Sequence, residues 1–284
     1  MTHIEVDRPF AHVAVLGLGV MGGSLARALS ELGDAPRMTG WSPSPEEREA
    51  ALAARAVHAA PTEWRDAVRG ADLVVLAAPL GVSCDILPRV VDVADPGALL
   101  SDVASLKAPM ARAAAAAGVT DRWVGSHPMA GSEASGFGAS RSTLYRDARV
   151  WTVAAPEAKA HVARVHALWS SIGARPAAID AEAHDRLMAL ASHLPQLSSN
   201  ALASVLMEAG VSPEQLGPGG RDTTRLAGSS PDLWKDLLGY AAPDLARGLR
   251  DLAATADQMA DLLDRHDIDA IADIMRATRT WREP

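Results

Sequence analysis

The chain has little cysteine, little lysine and no long apolar run, and each shortage excludes a class of protein. Its single cysteine, Cys84, can form no intramolecular disulfide and rules out a metal site built from several cysteines. Lysine is confined to Lys107, Lys159 and Lys235, and the net charge of -8 argues against nucleic acid as a partner. No apolar run approaches the roughly 18 residues that span a bilayer. The first residues lack a basic-then-apolar signal, so we expect a cytoplasmic protein with no membrane partner.

The composition that is present is typical of a soluble globular protein. Of the 284 residues, 48% are hydrophobic and 22% are charged, a balance that supports a packed core. The length suits one large domain or two ordinary ones.

A glycine-rich stretch near the N-terminus carries the first functional signal. The apolar run His12–Leu16 leads directly into Gly17-Leu18-Gly19-Val20-Met21-Gly22-Gly23, and a helical apolar pattern follows. In this pattern the first glycine permits a tight turn, the second lets a pyrophosphate approach the backbone, and the third lets helix and strand pack closely. The N-terminus of the helix offers free N–H groups to phosphates. We therefore predict a dinucleotide-binding loop, rather than an ordinary turn, formed by Gly17, Gly19, Val20, Met21 and Gly22.

The position that distinguishes NAD from NADP holds an unusual residue. NAD sites place Asp or Glu about 20 residues past the glycines, where it accepts a hydrogen bond from the ribose 2′-OH. Here a predicted strand, Arg37–Trp41, ends at Ser42, and Arg48 lies further along. Serine does not repel a 2′-phosphate, and a hydroxyl near an Arg can bind one, so Ser42 favours NADP or the use of both cofactors. Alternatively, Ser42 merely caps the helix that begins near Pro45.

Strands alternate with helices through the first part of the chain, which predicts an α/β fold with a doubly wound, parallel sheet of Rossmann type. The further strand candidates are Asp72–Pro79, Leu99–Val103, Trp123–His127, Val150–Val153 and Arg175–Ile179.

In such sheets ligands bind outside the carboxyl ends of the strands. The glycine loop, Ala78 with Pro79, Ser105 and His127 each lie at or just past such an end. We therefore predict that they share one rim, with Ala78 and Pro79 beside the cofactor.

From residue 180 onward the pattern changes to helices only. We predict a dinucleotide-binding domain over residues 1–179 and an all-helical domain over residues 180–284. The predicted helices are Ala181–Glu208 with a kink at Pro195, Pro231–Leu238, Pro243–Arg265 and Ile268–Trp281, and a Gly/Pro-rich loop covers Gly210–Gly220.

His127 is the first catalytic candidate. It lies in Gly125-Ser126-His127-Pro128-Met129-Ala130-Gly131, where glycine and proline constrain the backbone. A place at a strand end beside a dinucleotide site favours catalysis over a purely structural role.

Ser105 and Lys107 are further candidates at the neighbouring strand end. Ser105 offers a hydroxyl there, or else caps the helix after it. Lys107 either faces phosphate or substrate or is a solvated residue of a first helical turn. We predict no metal.

The helical domain contributes substrate-binding candidates. Ser192 and Gln196 are four residues apart and share a predicted helix face, and the intervening His193 is interpreted as a packed residue. Arg221 and Arg225 follow a Gly pair, and arginine grips carboxylates with two parallel hydrogen bonds. A surface Arg–Asp network is the alternative for Arg221. Trp234 either packs against a ring-shaped substrate at the edge of its binding site or is a core residue.

Five motifs occur in one order along nearly the whole chain, and together they resemble the prephenate/arogenate dehydrogenase family of tyrosine biosynthesis. These motifs are the glycine loop, Asp102–Lys107, His127-Pro128-Met129-Ala130-Gly131-Ser132-Glu133, Ser192-His193-Leu194-Pro195 and Arg221-Asp222-Thr223-Thr224-Arg225.

The resemblance implies an oxidative decarboxylation of a cyclohexadiene. By resemblance, His127 helped by Ser105 accepts the proton of the 4-hydroxyl, and Arg225 binds a substrate carboxylate. Trp234 matches a tryptophan near the substrate. Glu133 and Asp185 match acidic positions that gate the site in relatives. The family also implies a homodimer built through the helical domain.

Two positions depart from the family pattern. Relatives specific for prephenate often have His where this chain has Gln196, and Gln can donate or accept but cannot become cationic. Prephenate, arogenate and a 4-amino-4-deoxyprephenate of specialised metabolism therefore all stay open as substrates. Ser42 replaces the usual acidic residue, so both NAD and NADP stay open as well.

Two rival functions are less well supported by the residues. A β-hydroxyacid dehydrogenase is expected to use a catalytic lysine in its helical domain, where this chain has only Lys235. A dinucleotide-sensing binding protein has no need of a His, a Ser and an Arg at the cofactor rim.

Overall fold

The computed structural model describes residues 9–131 and 134–283, and its first sheet is the parallel sheet that the alternating pattern predicts. Within these residues there are seven strands: β1 His12–Leu16, β2 Arg37–Trp41, β3 Leu73–Leu76, β4 Leu99–Asp102, β5 Val124–Pro128, β6 Arg149–Ala154 and β7 Arg175–Ala178. The helices of the described chain are α1 Val20–Ser30, α2 Pro45–Ala53, α3 Trp64–Val68, α4 Leu80–Val91, α5 Ala108–Ala116, α6 Lys159–Ser171, α7 Ala181–Met188, α8 Leu194–Glu208, α9 Pro218–Thr224, α10 Pro231–Asp264 and α11 Ile268–Arg282.

The first sheet has the strand order β2-β1-β3-β4, and every pairing in it is parallel. Every residue of β1, β3 and β4 is buried, which is why these strands are nearly continuous apolar runs rather than alternating ones. Each fully buried Val or Leu side chain contributes about 1.5–3 kcal/mol to folding. The sheet therefore holds the ends of its strands rigidly, and the glycine loop leaves from one of them.

The second sheet contains an antiparallel pair that the sequence does not predict. Its order is β5-β6-β7, with β5 antiparallel to β6 and β6 parallel to β7. Residues 129–131 and 134–148, as far as the structure describes them, contain no α-helix, so the chain turns back without the crossover that a parallel pair requires. An isolated parallel bridge between Leu100 and Trp123 links the two sheets.

The helices of the second half differ from the prediction in three places. The expected helix Ala181–Glu208 is interrupted by a five-residue π-helical segment, Ala189–His193, directly before α8, whose second residue is Pro195. A proline has no N–H to donate to the preceding turn, and a π segment accommodates that loss. The predicted loop contains helix α9, because Gly217 is extended and Pro218 suits the first helical position.

The third difference is that α10 is a single helix of 34 residues, with Pro243 in its interior. The prediction of a separate helix starting at Pro243 was wrong. Proline removes one backbone hydrogen bond, but its fixed φ is close to the helical value, so the helix continues through it.

The described chain divides into two compact units. One runs to Arg186 and includes Ser229–Tyr240, and the other contains Leu187–Gly228 and the residues from Ala241 onward. The first holds both sheets, and the second is helical. The domain boundary near residue 180 stays a prediction.

Candidate functional site

The glycine loop forms a cradle in which two glycines are required by backbone contacts. Gly17 follows β1 with φ of 110°, a conformation that strongly favours glycine, and its N–H donates to the carbonyl of Trp41 at 2.8 Å. A Cβ at Gly17 would lie 2.5 Å from the carbonyl oxygen of Ala77. A Cβ at Gly22 would lie 1.9 Å from the carbonyl oxygen of Gly17. The loop therefore closes tightly onto strand β3 and helix α1 only because these residues are glycine.

Gly19 has the opposite surroundings. A Cβ built on it meets no described atom within 4 Å, and Gly19 is the N-cap of α1 with an extended backbone. The first turn of α1, with Val20 and Met21, contains no acidic residue. Open space in front of a helix N-terminus suits a pyrophosphate, because the N–H groups and the helix dipole both favour negative charge. The cradle therefore fits the dinucleotide predicted for it.

Ala78 and Pro79 lie beside the glycine cradle. The backbone nitrogen of Ala78 is 2.9 Å from the Cβ position at Gly17, and Pro79 is the N-cap of α4. The carbonyl of Ala78 accepts a hydrogen bond from the Ser83 hydroxyl at 3.0 Å. The ends of β1 and β3 thus meet at one edge.

A carboxylate that the sequence did not reveal as part of the site, that of Glu47, lies next to the end of β2. Ser42 is buried, and its hydroxyl donates to the carboxylate of Glu47, in the first turn of α2. Arg48 donates through Nη1 to the carbonyls of Ser42 at 2.5 Å and Pro43 at 3.3 Å. The N-cap of α2 is Ser44, which accepts from the N–H of Glu47 at 3.1 Å, so Ser42 is not the cap.

These contacts remove both grounds on which Ser42 favoured NADP. The Ser42 hydroxyl is bonded to a carboxylate, which repels a 2′-phosphate, and Arg48 is turned toward backbone carbonyls. The spacing along the chain could have revealed Glu47. Because α2 begins soon after β2 ends, a side chain in the first turn of α2 can lie next to the end of β2.

Lys107 is neither a phosphate ligand nor a solvated residue. Its side chain is fully buried and forms an ion pair with Asp102, and its Nζ also donates to the carbonyl of Ser126 at 2.7 Å. Burial raises the pKa of the Asp102 carboxyl and lowers the pKa of the Lys107 ammonium, because each charge has lost its water. The pair ties the end of β4 to β5 inside the core.

Ser105 lies between β4 and α5 and is half-buried. It does not cap α5, because the N-cap position is Lys107. Its hydroxyl makes no side-chain hydrogen bond within the described chain, which agrees with a side chain available to a ligand.

His127 is held by a row of hydrogen bonds at the end of β5. Its Nδ1 lies 2.9 Å from Nε2 of His184, and Nδ1 of His184 lies 2.7 Å from Oδ1 of Asp185. His184 is fully buried. The two oxygens of Asp185 accept from the backbone N–H groups of Lys107 at 2.8 Å and Ala108 at 2.9 Å.

The charge of Asp185 is stabilised by these contacts. Burial raises the pKa of Asp185, but the hydrogen bonds from His184 and from the N–H groups of Lys107 and Ala108 outweigh it and hold the pKa below its usual range. Asp185 therefore supports His184 and the start of α5. The gating role expected of Asp185 stays a prediction, and Glu133, expected to share it, lies outside the described residues. From the sequence, His184 was not identified as a functional residue; only the neighbouring Asp185 was identified, by resemblance.

The helical unit holds Ser192 and Gln196 in different kinds of helix. Ser192 lies in the π segment and is half-buried, whereas Gln196 lies in α8 and is 4% exposed. The shared face expected of these two residues stays a prediction. Nε2 of Gln196 donates to Oδ1 of Asn200 at 2.9 Å and to the carbonyl of Leu226 at 2.7 Å.

The arginine candidates are exposed. Arg221 lies in the last turn of α9, and Arg225 begins a short 3₁₀ helix, Arg225–Gly228. Ala227 of that segment is bonded through its N–H to the Ser199 hydroxyl at 3.1 Å, which fixes the segment to α8. Trp234 lies in α10 and is half-buried.

The described residues contain neither a metal-binding cluster nor a membrane-spanning helix. No group of three or more His, Cys, Asp or Glu side chains in that part of the chain is arranged to hold a metal ion. Among the helices that the structure describes, none is long and apolar enough to cross a membrane.

Comparison with known proteins identifies both halves of the chain. A family model described as prephenate dehydrogenase, nucleotide-binding domain, matches residues 25–177. A second, described as prephenate dehydrogenase, dimerization domain, matches residues 180–277.

Individual relatives agree with these models. The chain is 28% identical to the cyclohexadienyl dehydrogenase of Zymomonas mobilis over 283 residues, covering 96% of this chain and 95% of that protein. It is 31% identical to the probable prephenate dehydrogenase NovF of Streptomyces niveus over 261 residues, covering 88% and 69% of the two chains. Its fold matches that of prephenate dehydrogenase from Aquifex aeolicus in complex with hydroxyphenyl propionate and NAD+, with a TM-score of 0.88 at 24% identity, covering 95% and 96%.

Proposed function

The chain belongs to the prephenate dehydrogenase family, and on that premise we propose that it catalyses the NAD(P)-dependent oxidative decarboxylation of prephenate or arogenate. The products are 4-hydroxyphenylpyruvate from prephenate and tyrosine from arogenate. The observation that carries the proposal is His127, oriented by a buried histidine in the same unit as the glycine cradle.

The reaction needs a group that takes a proton while a hydride leaves. A bound nicotinamide would supply the acceptor for the hydride that leaves C4 of the cyclohexadiene ring. His127 accepts the proton of the 4-hydroxyl as C4 becomes a carbonyl. The ring carboxylate then departs as CO2, its bonding pair moves through the ring to the carbonyl oxygen, and that oxygen takes the proton back from His127 as the phenol hydroxyl of the aromatic product. A histidine suits general-base work near neutral pH. Ser105 assists at the 4-hydroxyl.

The substrate carboxylate requires a cation. We assign this role to Arg225, with Arg221 as a second contact, because guanidinium groups bind carboxylates with two parallel hydrogen bonds. Both are exposed. Ser192 and Trp234 complete the proposed substrate-binding set.

Gln196 bears on the choice between prephenate and arogenate. Both hydrogens of its amide group are donated, to Asn200 and to the carbonyl of Leu226. Any further contact through its amide therefore uses the carbonyl oxygen, which is an acceptor. An acceptor pairs with the ammonium of arogenate and not with the keto group of prephenate, so Gln196 keeps arogenate as a proposed substrate beside prephenate. A 4-amino-4-deoxyprephenate is the alternative substrate.

We further propose a cytoplasmic homodimer that uses the helical unit as its interface. The family model for that part of the chain is described as a dimerization domain. Several of its large apolar side chains are exposed in the single chain, among them Val205, Met207, Leu263, Met275 and Trp281. Sedimentation analysis of the purified protein tests this, and a monomer at micromolar concentration contradicts it.

A steady-state comparison of three substrates with two cofactors tests the function. Purified protein should reduce NAD or NADP when given arogenate or prephenate, with release of CO2. Turnover of only the 4-amino compound would support the alternative. No reduced cofactor with any of the three substrates would refute the proposal.

A further inference from the structure

The contacts of His127 determine which of its nitrogens can accept a proton. A carboxylate only accepts hydrogen bonds, so the Nδ1 of His184 that faces Asp185 must carry a hydrogen. In a neutral imidazole the other nitrogen then has none, and Nε2 of His184 is an acceptor. The Nδ1 of His127, 2.9 Å away, must therefore be the donor of that hydrogen bond.

The tautomer of His127 decides which of its ring nitrogens is basic. With its hydrogen on Nδ1, its Nε2 carries the lone pair and is the atom that can take a proton. The rings are inclined at 78° with centroids 5.1 Å apart, so they meet edge to edge rather than stacking.

The row is rigid at its far end. Asp185 is held by two backbone N–H groups at the start of α5, and His184 is fully buried. When His127 gains a proton, the charge stays on its ring and is stabilised by the hydrogen-bonded His184 and the fixed carboxylate of Asp185, without any side chain having to move, which is the condition for electrostatic preorganisation.

We propose that His184 is a positioning residue that, backed by Asp185, sets the tautomer of His127 and stabilises its protonated form. This inference rests on the proposed function in that it takes His127 as the proton acceptor. The tautomer itself is a property of the free protein and can be measured without substrate.

The first test is spectroscopic. Nitrogen chemical shifts of ¹⁵N-histidine-labelled protein distinguish the two tautomers. They are recorded at a pH where the imidazoles are neutral, and the His127 signals are assigned by their loss in His127→Asn. The wild type should show His127 protonated on Nδ1, and His184→Leu should abolish that preference. A wild-type His127 protonated on Nε2 would overturn the proposal, whether or not the proposed reaction is found.

The second test is kinetic. His184→Leu removes both hydrogen bonds, whereas His184→Gln retains one acceptor and one donor. The Leu variant should lose at least about 10-fold in kcat with KM and cofactor affinity nearly unchanged, and Gln should restore part of the loss. His166→Gln, a change at a half-buried histidine bonded to Thr152, is the control. Equal kcat for the Leu variant and the control would count against a positioning role.

A second and independent observation concerns cofactor choice. The end of β2 lies beside the glycine cradle, because the carbonyl of Trp41 accepts from the N–H of Gly17. At that end Ser42 donates its hydroxyl to the carboxylate of Glu47. A carboxylate at this place accepts from a ribose 2′-OH and repels a 2′-phosphate. We infer that Glu47, from helix α2, selects NAD in place of the acidic residue that Ser42 lacks.

Binding of NADH and NADPH, followed by fluorescence without substrate, tests this inference. The wild type should bind NADH at least about 10-fold more tightly, since like charges in contact cost several kcal/mol. Glu47→Gln should reduce that ratio, and Glu46→Gln, its exposed neighbour bonded to Ser44, should leave it unchanged. Equal wild-type affinity for the two cofactors would overturn the inference.

Discussion

Replacing Lys107 by Met should destabilise the protein by about 3–5 kcal/mol, because it leaves the carboxylate of Asp102 buried without its cation. Both side chains are 0% exposed. After the change Asp102 keeps the N–H of Ala104 at 3.0 Å and Nε1 of Trp123 at 3.2 Å, and the carbonyl of Ser126 loses a donor. For a unit of this size the Tm should fall by roughly 10 °C.

The same variant should acquire a pH dependence. Burial raises the pKa of Asp102, and in the variant the ammonium that offsets this effect is gone. The folded variant then keeps a proton that the unfolded chain releases above a pKa of about 4. The contribution of Asp102 to the stability of the variant is therefore most favourable at low pH and falls as pH rises toward the folded-state pKa, by up to about 1.4 kcal/mol per unit.

Urea unfolding followed by tryptophan fluorescence, at several pH values, measures both effects. Arg69→Met is the matched control, since it removes the cation of an exposed pair with Asp66 and should cost no more than about 1 kcal/mol. Replacing both members, Lys107→Met with Asp102→Leu, should recover part of the loss. A Lys107→Met variant as stable as the control would refute the reasoning.

Three other predictions concern the cofactor and the chemistry. Gly22→Ala should lower the Tm, because its Cβ would lie 1.9 Å from a backbone oxygen, whereas Gly19→Ala should fold normally and lose only NAD(P) affinity in calorimetry. Identical behaviour of the two variants would contradict this difference. His127→Asn should lower kcat by about 10²-fold or more with cofactor affinity little changed, and full activity would exclude His127 from the mechanism. Arg225→Ala should mainly raise KM, and an unchanged KM would move the carboxylate contact elsewhere.

The local features of the fold were predictable from the sequence. β1 and β2 have the predicted bounds, and the glycine loop lies where a strand followed by a helix predicts it. These features depend on residues adjacent in the chain: apolar runs buried on both faces, and glycines where a Cβ would collide with backbone. The five motifs likewise predicted the family from the sequence alone.

Only the tertiary structure showed which side chains meet. Lys107 is a first-turn residue by local pattern, yet it is buried because Asp102 and the carbonyl of Ser126 converge on it from two strands. His127 and His184 are 57 residues apart. No spacing rule relates them, and only the packed strand end and helix place one imidazole nitrogen against the other. Glycines and continuous apolar runs therefore determined the strands and the glycine loop, whereas burial and long-range hydrogen bonds determined which polar side chains are paired.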